Sequence, residues 1–171
     1  YYYLNFDNER VLNGTYGPNG LALTNSVEKS IRTGFELFTE LVIKNNLKLI
    51  NNSSFNHSVI KQQNIEFTPI LTPQIIINQE LIYSLNDFDF CLSTRYQSES
   101  YINFENSATL DDYILINGRI DYKFKNYLAS IFINNLTDNY YFNNGTVNFN
   151  GEKSYFVQAP RNFYISLKYE F

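Results

Sequence analysis

Side chains able to do covalent or metal chemistry are scarce here, and their spacing gives them no partners. The single histidine, His57, stands between Asn56 and Ser58, and the single cysteine, Cys91, between Phe90 and Leu92. Hydrolysis at a histidine requires an acid or a serine aligned with it, and the stretch around His57 offers no convincing one. A metal centre needs several such ligands. No catalytic residue, metal ligand or cofactor site is assigned, and His57 is read as a solvated residue at the end of a loop. Cys91 has no second cysteine to pair with and is expected to be an inert thiol. Rings are better placed for binding. Tyr140, Tyr141, Phe142, Tyr155 and Phe156 gather in an asparagine-rich stretch, where Tyr140, Tyr141 and Tyr155 could stack on a ring-bearing ligand. Glu80 and Arg95 have the spacing for an ion pair across a tight turn.

The elements that would carry these residues are strands. From Arg161 to Phe171, Phe163, Ile165, Leu167, Tyr169 and Phe171 alternate with Asn162, Tyr164, Ser166, Lys168 and Glu170. Such a run suits a barrel strand with one face on lipid. The alternation can be tested at turns, because a two-residue hairpin shifts apolar residues from odd to even numbers. Ile75, Ile77, Leu81, Tyr83 and Leu85 precede Asn86 and Asp87, and Phe88, Phe90, Leu92, Thr94 and Tyr96 follow. Around Lys125 and Asn126, Ile114, Ile116, Gly118, Ile120, Tyr122 and Phe124 give way to Tyr127, Ala129, Ile131 and Ile133. A three-residue connection at 44 to 46 should keep parity, and Ile43 and Leu47 are both odd.

These segments predict an all-β, antiparallel up-and-down meander of about eight long strands. Tight turns at 44–46, 86–87 and 125–126 alternate with long loops at roughly 7–26, 59–72, 101–111 and 137–160. In membrane barrels short turns face the periplasm and long loops the outside, which places the C-terminus on the periplasmic side. There Phe88, Tyr122, Phe124, Tyr127, Tyr169 and Phe171 would form an aromatic girdle. The opposite face carries Arg32, Glu36, Glu40, Glu80, Arg95, Arg119, Asp121 and Lys123, which suits a wet interior. A soluble two-layer sandwich is the competing architecture; it would bury Phe35, Ile77, Ile120 and Ile165 in a protein core.

Composition agrees with a membrane barrel. Fifteen Tyr and fifteen Phe occur without a Trp among 171 residues, and no apolar run approaches the roughly 18 residues of a membrane helix. The mean hydropathy of -0.31 is negative, as expected when each apolar residue has a polar neighbour. A net charge of -4 with scattered basic residues argues against a nucleic-acid partner.

Three segments resemble the C-terminal β-barrel segment of TonB-dependent outer-membrane receptors. "SVEKSIRTGFEL" carries Arg32, Gly34 and Glu36 in the family's basic-x-G-x-E strand. "INNLTDNYYF" carries Asn135, Leu136, Asp138 and Tyr141 of an N-L-x-D-x-x-Y segment, and "APRNFYISLKYEF" carries Pro160, Arg161, Phe163 and the final Phe171 of the terminal strand. The resemblance implies that residues 1–171 are the last third of a barrel of roughly 22 strands, with the plug domain and earlier strands outside the chain. It also implies nutrient uptake, most often of a ferric siderophore, energised by the TonB complex through the absent N-terminal region. Phe163, Tyr169 and Phe171 would be the signature read by the barrel-assembly machinery, and lipid of the outer membrane would be the surrounding solvent. A self-contained eight-stranded barrel with a structural or adhesive role is the alternative, distinguished by a ladder between Tyr1–Phe6 and Arg161–Phe171.

Overall fold

The computed structural model describes residues 1–171, and all its regular elements are strands. In chain order these are β1 (Tyr2–Tyr16), β2 (Ala22–Lys44), β3 (Leu47–Gln62), β4 (Ile65–Phe67), β5 (Ile75–Leu85), β6 (Phe88–Gln97), β7 (Ser100–Tyr101), β8 (Thr109–Leu110), β9 (Tyr113–Phe124), β10 (Tyr127–Asn134), β11 (Phe142–Val147), β12 (Lys153–Val157) and β13 (Asn162–Tyr169). Eight of them form an antiparallel wall in the order β1-β2-β3-β5-β6-β9-β10-β13, with β4 added beside β3. β1 and β13 are the two edges and do not pair with each other. The closed ladder of a small barrel is thus absent.

The register turns the alternation of each strand into one continuous surface. Leu41, Leu49, Leu81, Leu92, Gly118, Ile133 and Phe163 lie side by side across seven strands, and Leu47, Tyr83, Phe90, Ile120, Ile131 and Ile165 form the next row. No second layer covers them: Phe35 is 45%, Ile120 40% and Ile165 71% exposed. The sandwich is thereby excluded, because its core would bury these residues.

The turns behave as expected with one difference. Leu85 pairs with Phe88 and Phe124 with Tyr127 across two-residue turns, whose first residues, Asn86 and Lys125, take positive φ. At 44–46 the turn is also two residues, Asn45 and Asn46, with Lys44 paired to Leu47. A bulge at Ile43 supplies the extra residue, so Leu41 still faces Leu49. A two-residue turn plus one bulged residue has the parity of a three-residue loop.

The loops at 7–26, 59–72 and 137–160 are more ordered than the alternation suggests. β1 and β2 run on as a hairpin to Tyr16 and Ala22, β3 and β4 form a second hairpin, and β11 pairs with β12. The period-two signal fades because these extensions stand above the apolar wall and pack side chains on neighbouring loops. In β2 the buried residues Val27 and Ser30 are three apart, and Asn8 opposite has φ of 55°. The alternation therefore changes phase there. His57 also differs from expectation: it lies within β3, exposed on the outward face beside Phe55 and Val59, and pairs across the ladder with Thr33.

Only 17 of 171 residues are buried, and the apolar ones other than Cys91 lie in this upper rim. Val11, Val27 and Ile60 make one cluster, flanked by Phe67 and Phe104; Ile102, Ala108 and Leu110 make another, flanked by Phe142 and Val147. The hairpin β11–β12 leaves the wall beside one edge yet reaches the other: Thr146 donates through Oγ1 to the Gly14 carbonyl at 2.6 Å. That crossing spans six strand spacings, about 29 Å in a flat sheet.

Candidate functional site

Two features organise the inward and upper surfaces: a latch built from the motif residues, and a polar network on the inward wall. Asn135 follows directly on β10 with φ of 52°, a conformation asparagine tolerates. Its backbone N–H donates to Asn117 Oδ1 at 2.9 Å, its Nδ2 to the Asn139 carbonyl at 2.9 Å, and its Oδ1 accepts from the Asn139 N–H at 2.9 Å. At 4% exposure these bonds are shielded from water, where leaving one unmade is expensive. Leu136 donates its N–H to the Ile116 carbonyl and lays Cδ1 against Gly118, 3.5 Å from where a Cβ would stand. Asp138 Oδ1 accepts the Arg161 N–H at 2.8 Å, and Arg161 donates a guanidinium N–H to the Leu136 carbonyl at 3.4 Å. The two motif segments, separate in sequence, are thus one structure that returns the chain from its longest loop into β13. Pro160 joins through its carbonyl, which accepts from Asn162 Nδ2 at 2.9 Å.

The other motif residues sit on β2. Arg32 forms an ion pair with Glu9 at 2.7 Å and lies 5.4 Å from the centre of the Phe6 ring. Gly34 occupies a place where only hydrogen fits, since a Cβ would be 2.3 Å from the Phe55 carbonyl oxygen and 2.7 Å from the Tyr2 hydroxyl. Glu36 stands opposite Ser54 and is exposed.

Below the rim, Arg95 and Glu80 do not pair with each other. Arg95 stands directly opposite Asn78 and donates to its Oδ1 at 3.0 Å and to Gln97 Oε1 at 2.9 Å. Glu80 faces Ser93, which leaves it to Arg119 from β9 at 3.4 Å. Arg119 also donates to Asp121 at 2.9 Å and to the Cys91 sulfur at 3.1 Å. Direct opposition in the ladder gives Arg95 to Asn78, whereas Arg119 reaches Glu80 across the intervening strand β6. Reading one hairpin alone could not supply Arg119, which comes from the next strand.

Of the three candidate ligand-binding tyrosines, two are engaged. Tyr141 packs at a tilt on inward-facing Tyr113 with ring centres 4.7 Å apart, and burial beside that phenol pushes its own ionisation above the ordinary tyrosine range. Tyr155 packs on Phe142 at 5.1 Å. Tyr140 meets Phe142 edge-on at 5.0 Å and is 74% exposed. At the opposite end of the wall the expected ring cluster is present: Phe88 stacks on Tyr122 at 4.7 Å, Tyr127 meets Tyr169 at a tilt at 4.8 Å, and Tyr169 meets Phe171 edge-on at 5.1 Å.

No protein-family model and no curated protein matches the sequence. Solved structures match over nearly the whole chain. The ferric yersiniabactin uptake receptor FyuA from Yersinia pestis superposes with a TM-score of 0.79 over 99% of this chain and 26% of its own, at 14% identity. The siderophore receptor PiuA from Acinetobacter baumannii gives 0.72 over 96% and 24%, at 16% identity. The ferripyoverdine receptor of the outer membrane of Pseudomonas aeruginosa gives 0.70 over 99% and 24%, at 17% identity. The chain spans about a quarter of the length of each of these. These neighbours are transport receptors rather than enzymes, and the fold of this chain is that of a β-barrel segment of TonB-dependent outer-membrane receptors.

Proposed function

We propose that this chain is the C-terminal part of the barrel of an outer-membrane receptor that takes up a scarce nutrient, a ferric siderophore by preference, with energy delivered through TonB. The observation that carries the reading is the continuous apolar surface on one side of the wall, backed by the Arg119, Glu80, Asp121 and Arg95 network on the other. A sheet with both edges open cannot satisfy its backbone in hydrocarbon. On this reading β1 and β13 are completed by strands outside the chain. The inward polar face then meets a plug domain and water, and the chain has no enzymatic role.

The fold likeness to three siderophore receptors supports the substrate class. Tyr140, exposed beside the inward-facing hairpin, is the proposed ligand contact; Tyr141 and Tyr155 hold the hairpin's shape and contribute ring edges. The C-terminus lies on the periplasmic side, and Phe163, Tyr169 and Phe171 present the terminal signature to the barrel-assembly machinery. Deleting the full-length gene should impair growth under iron limitation, with recovery on adding free iron. Unimpaired growth would overturn iron uptake as the function.

A further inference from the structure

On the outward face of the wall one row breaks the apolar pattern. Thr39 pairs with Asn51, Asn51 with Gln79 and Gln79 with Thr94, so uncharged polar side chains stand side by side across β2, β3, β5 and β6. The row does not mark the edge of the apolar surface. Leu41, Leu49, Leu81 and Leu92 lie directly below it, and Leu37, Ile77 and Tyr96 lie above beside the buried Ser53, with Phe35, Phe55 and Ile75 higher still. At a rise of about 3.4 Å per residue and a tilt of about 45°, Asn51 and Gln79 stand roughly 10 and 14 Å above the tight turns. That is near the middle of an apolar band about 25 Å tall. This depth rests on the membrane-embedded reading proposed above.

Bonds within the chain leave the row half satisfied. Asn51 Oδ1 accepts from Ser53 Oγ at 3.0 Å and from Gln79 Nε2 at 3.5 Å, and Asn51 Nδ2 donates to the Leu37 carbonyl at 3.4 Å. One amide hydrogen on each of Asn51 and Gln79 stays free, and Gln79 is exposed with no partner at Oε1. Hydrocarbon can satisfy none of these groups, and leaving them unpaired there is costly. Amide side chains at such depth join membrane segments through hydrogen bonds.

Chemistry and symmetry narrow the occupant. An acyl chain has no donor or acceptor, and lipid headgroups lie at the interfaces rather than at this depth. The row carries no charge, so a charged partner segment would bury its ions without compensation. Two copies with the same orientation in a membrane are related by a twofold axis along its normal, and such an interface must be self-complementary. An axis between β3 and β5 makes the two tilted rows cross at their centres. Asn51 of each copy then stands opposite Gln79 of the other, and each side-chain amide offers both a donor and an acceptor. We infer that this row is the centre of an interface with a second copy of the chain, closed by two Asn51–Gln79 pairs and flanked by Leu37, Leu49 and Leu81.

The test uses the full-length receptor at low density in phosphatidylcholine bilayers, with self-association read by energy transfer between donor-labelled and acceptor-labelled copies. A dimer is expected, weakened about tenfold or more in Gln79→Leu and in Asn51→Leu. Ile120→Leu, elsewhere on the same face, should leave it unchanged. Leucine matches the surrounding surface, so both variants are expected to insert like the parent. In a Cys91→Ser background, Asn51→Cys copies mixed with Gln79→Cys copies should form an intermolecular disulfide under copper phenanthroline, which reads the register independently of affinity. A receptor that inserts yet stays monomeric, association as strong in both leucine variants as in the parent, or no disulfide between the mixed copies would overturn the inference. Association that requires a different outer-membrane protein would overturn it as well. Extraction of the receptor from the bilayer by carbonate would instead remove the membrane reading on which it rests, and nutrient uptake keeps its own growth test.

Discussion

The wall and the rim differ in what covers their apolar side chains. In the wall, apolar residues such as Ile131, Ile165 and Leu167 stay 46%, 71% and 70% exposed because no protein layer covers them. In the rim, Ile102, Val27 and Ile60 are 2% exposed or less. A strand in lipid needs only an apolar face and a paired backbone, whereas strands standing in water must build a core from their own loops. The rim does this with two three-residue clusters; on the proposed membrane reading, the wall leaves the task to hydrocarbon.

Truncation should separate the regions most sharply. Ile102→Ala opens a cavity in a closed cluster and should destabilise the rim by about 2–5 kcal/mol, read as faster hydrogen exchange at the Ile102 amide, which donates to the Ala108 carbonyl. Ile131→Ala in the wall should cost far less, since no protein layer packs on this 46% exposed side chain. Equal costs would mean that the wall face is covered by protein. A charge tests the same contrast from the other side: Ile131→Arg should cost about 2–4 kcal/mol in bilayer unfolding, while Ser166→Arg, exposed on the inward face opposite Ser130, should change little. Insensitivity at Ile131 would break the assignment of faces.

Asn135→Ala, at the junction between the regions, should cost about 1–3 kcal/mol by orphaning the Asn139 N–H and carbonyl. Proteolysis of the 137–160 loop should rise with it; an unchanged cleavage rate would show that the latch does not hold the loop. The smallest effect is one of pH. Tyr141 keeps its proton more firmly in the folded rim than in an unfolded chain, so its contribution is complete below the ordinary tyrosine value of about 10 and is lost as pH rises through the folded value. Alkaline difference spectra of Tyr141→Phe against the parent should lose a tyrosine that titrates above the ordinary range. A spectrum unchanged at its alkaline end would remove the Tyr113 contact from the account.

The wall was legible because one continuous apolar face imposes one rule on every second residue, and tight turns transmit that rule from strand to strand. Phe88, Phe90 and Leu92 could be assigned an outward face from Leu85 and a two-residue turn alone. The rim was not legible in this way. β11 and β12 carry Asn, Gly and Thr beside rings, and their pairing depends on Ile102 and Gly14, each more than thirty residues distant. The motif residues of the latch were visible as types, but their contact was not: Asp138 and Arg161 are 23 positions apart and meet only because β10 pairs with β13. The expected Glu80–Arg95 pair failed for the same reason, since Arg119 belongs to a strand that the hairpin does not contain.

By itself the sequence determined strand type, facing and turn positions, because these follow from the period of a pleated ribbon and the parity of its turns. The tertiary structure alone decided that the sheet stays open at β1 and β13, that the hairpin β11–β12 crosses to the far edge, and which charge each arginine meets. Those outcomes depend on ladder register and on distances across several strands, which no local pattern encodes.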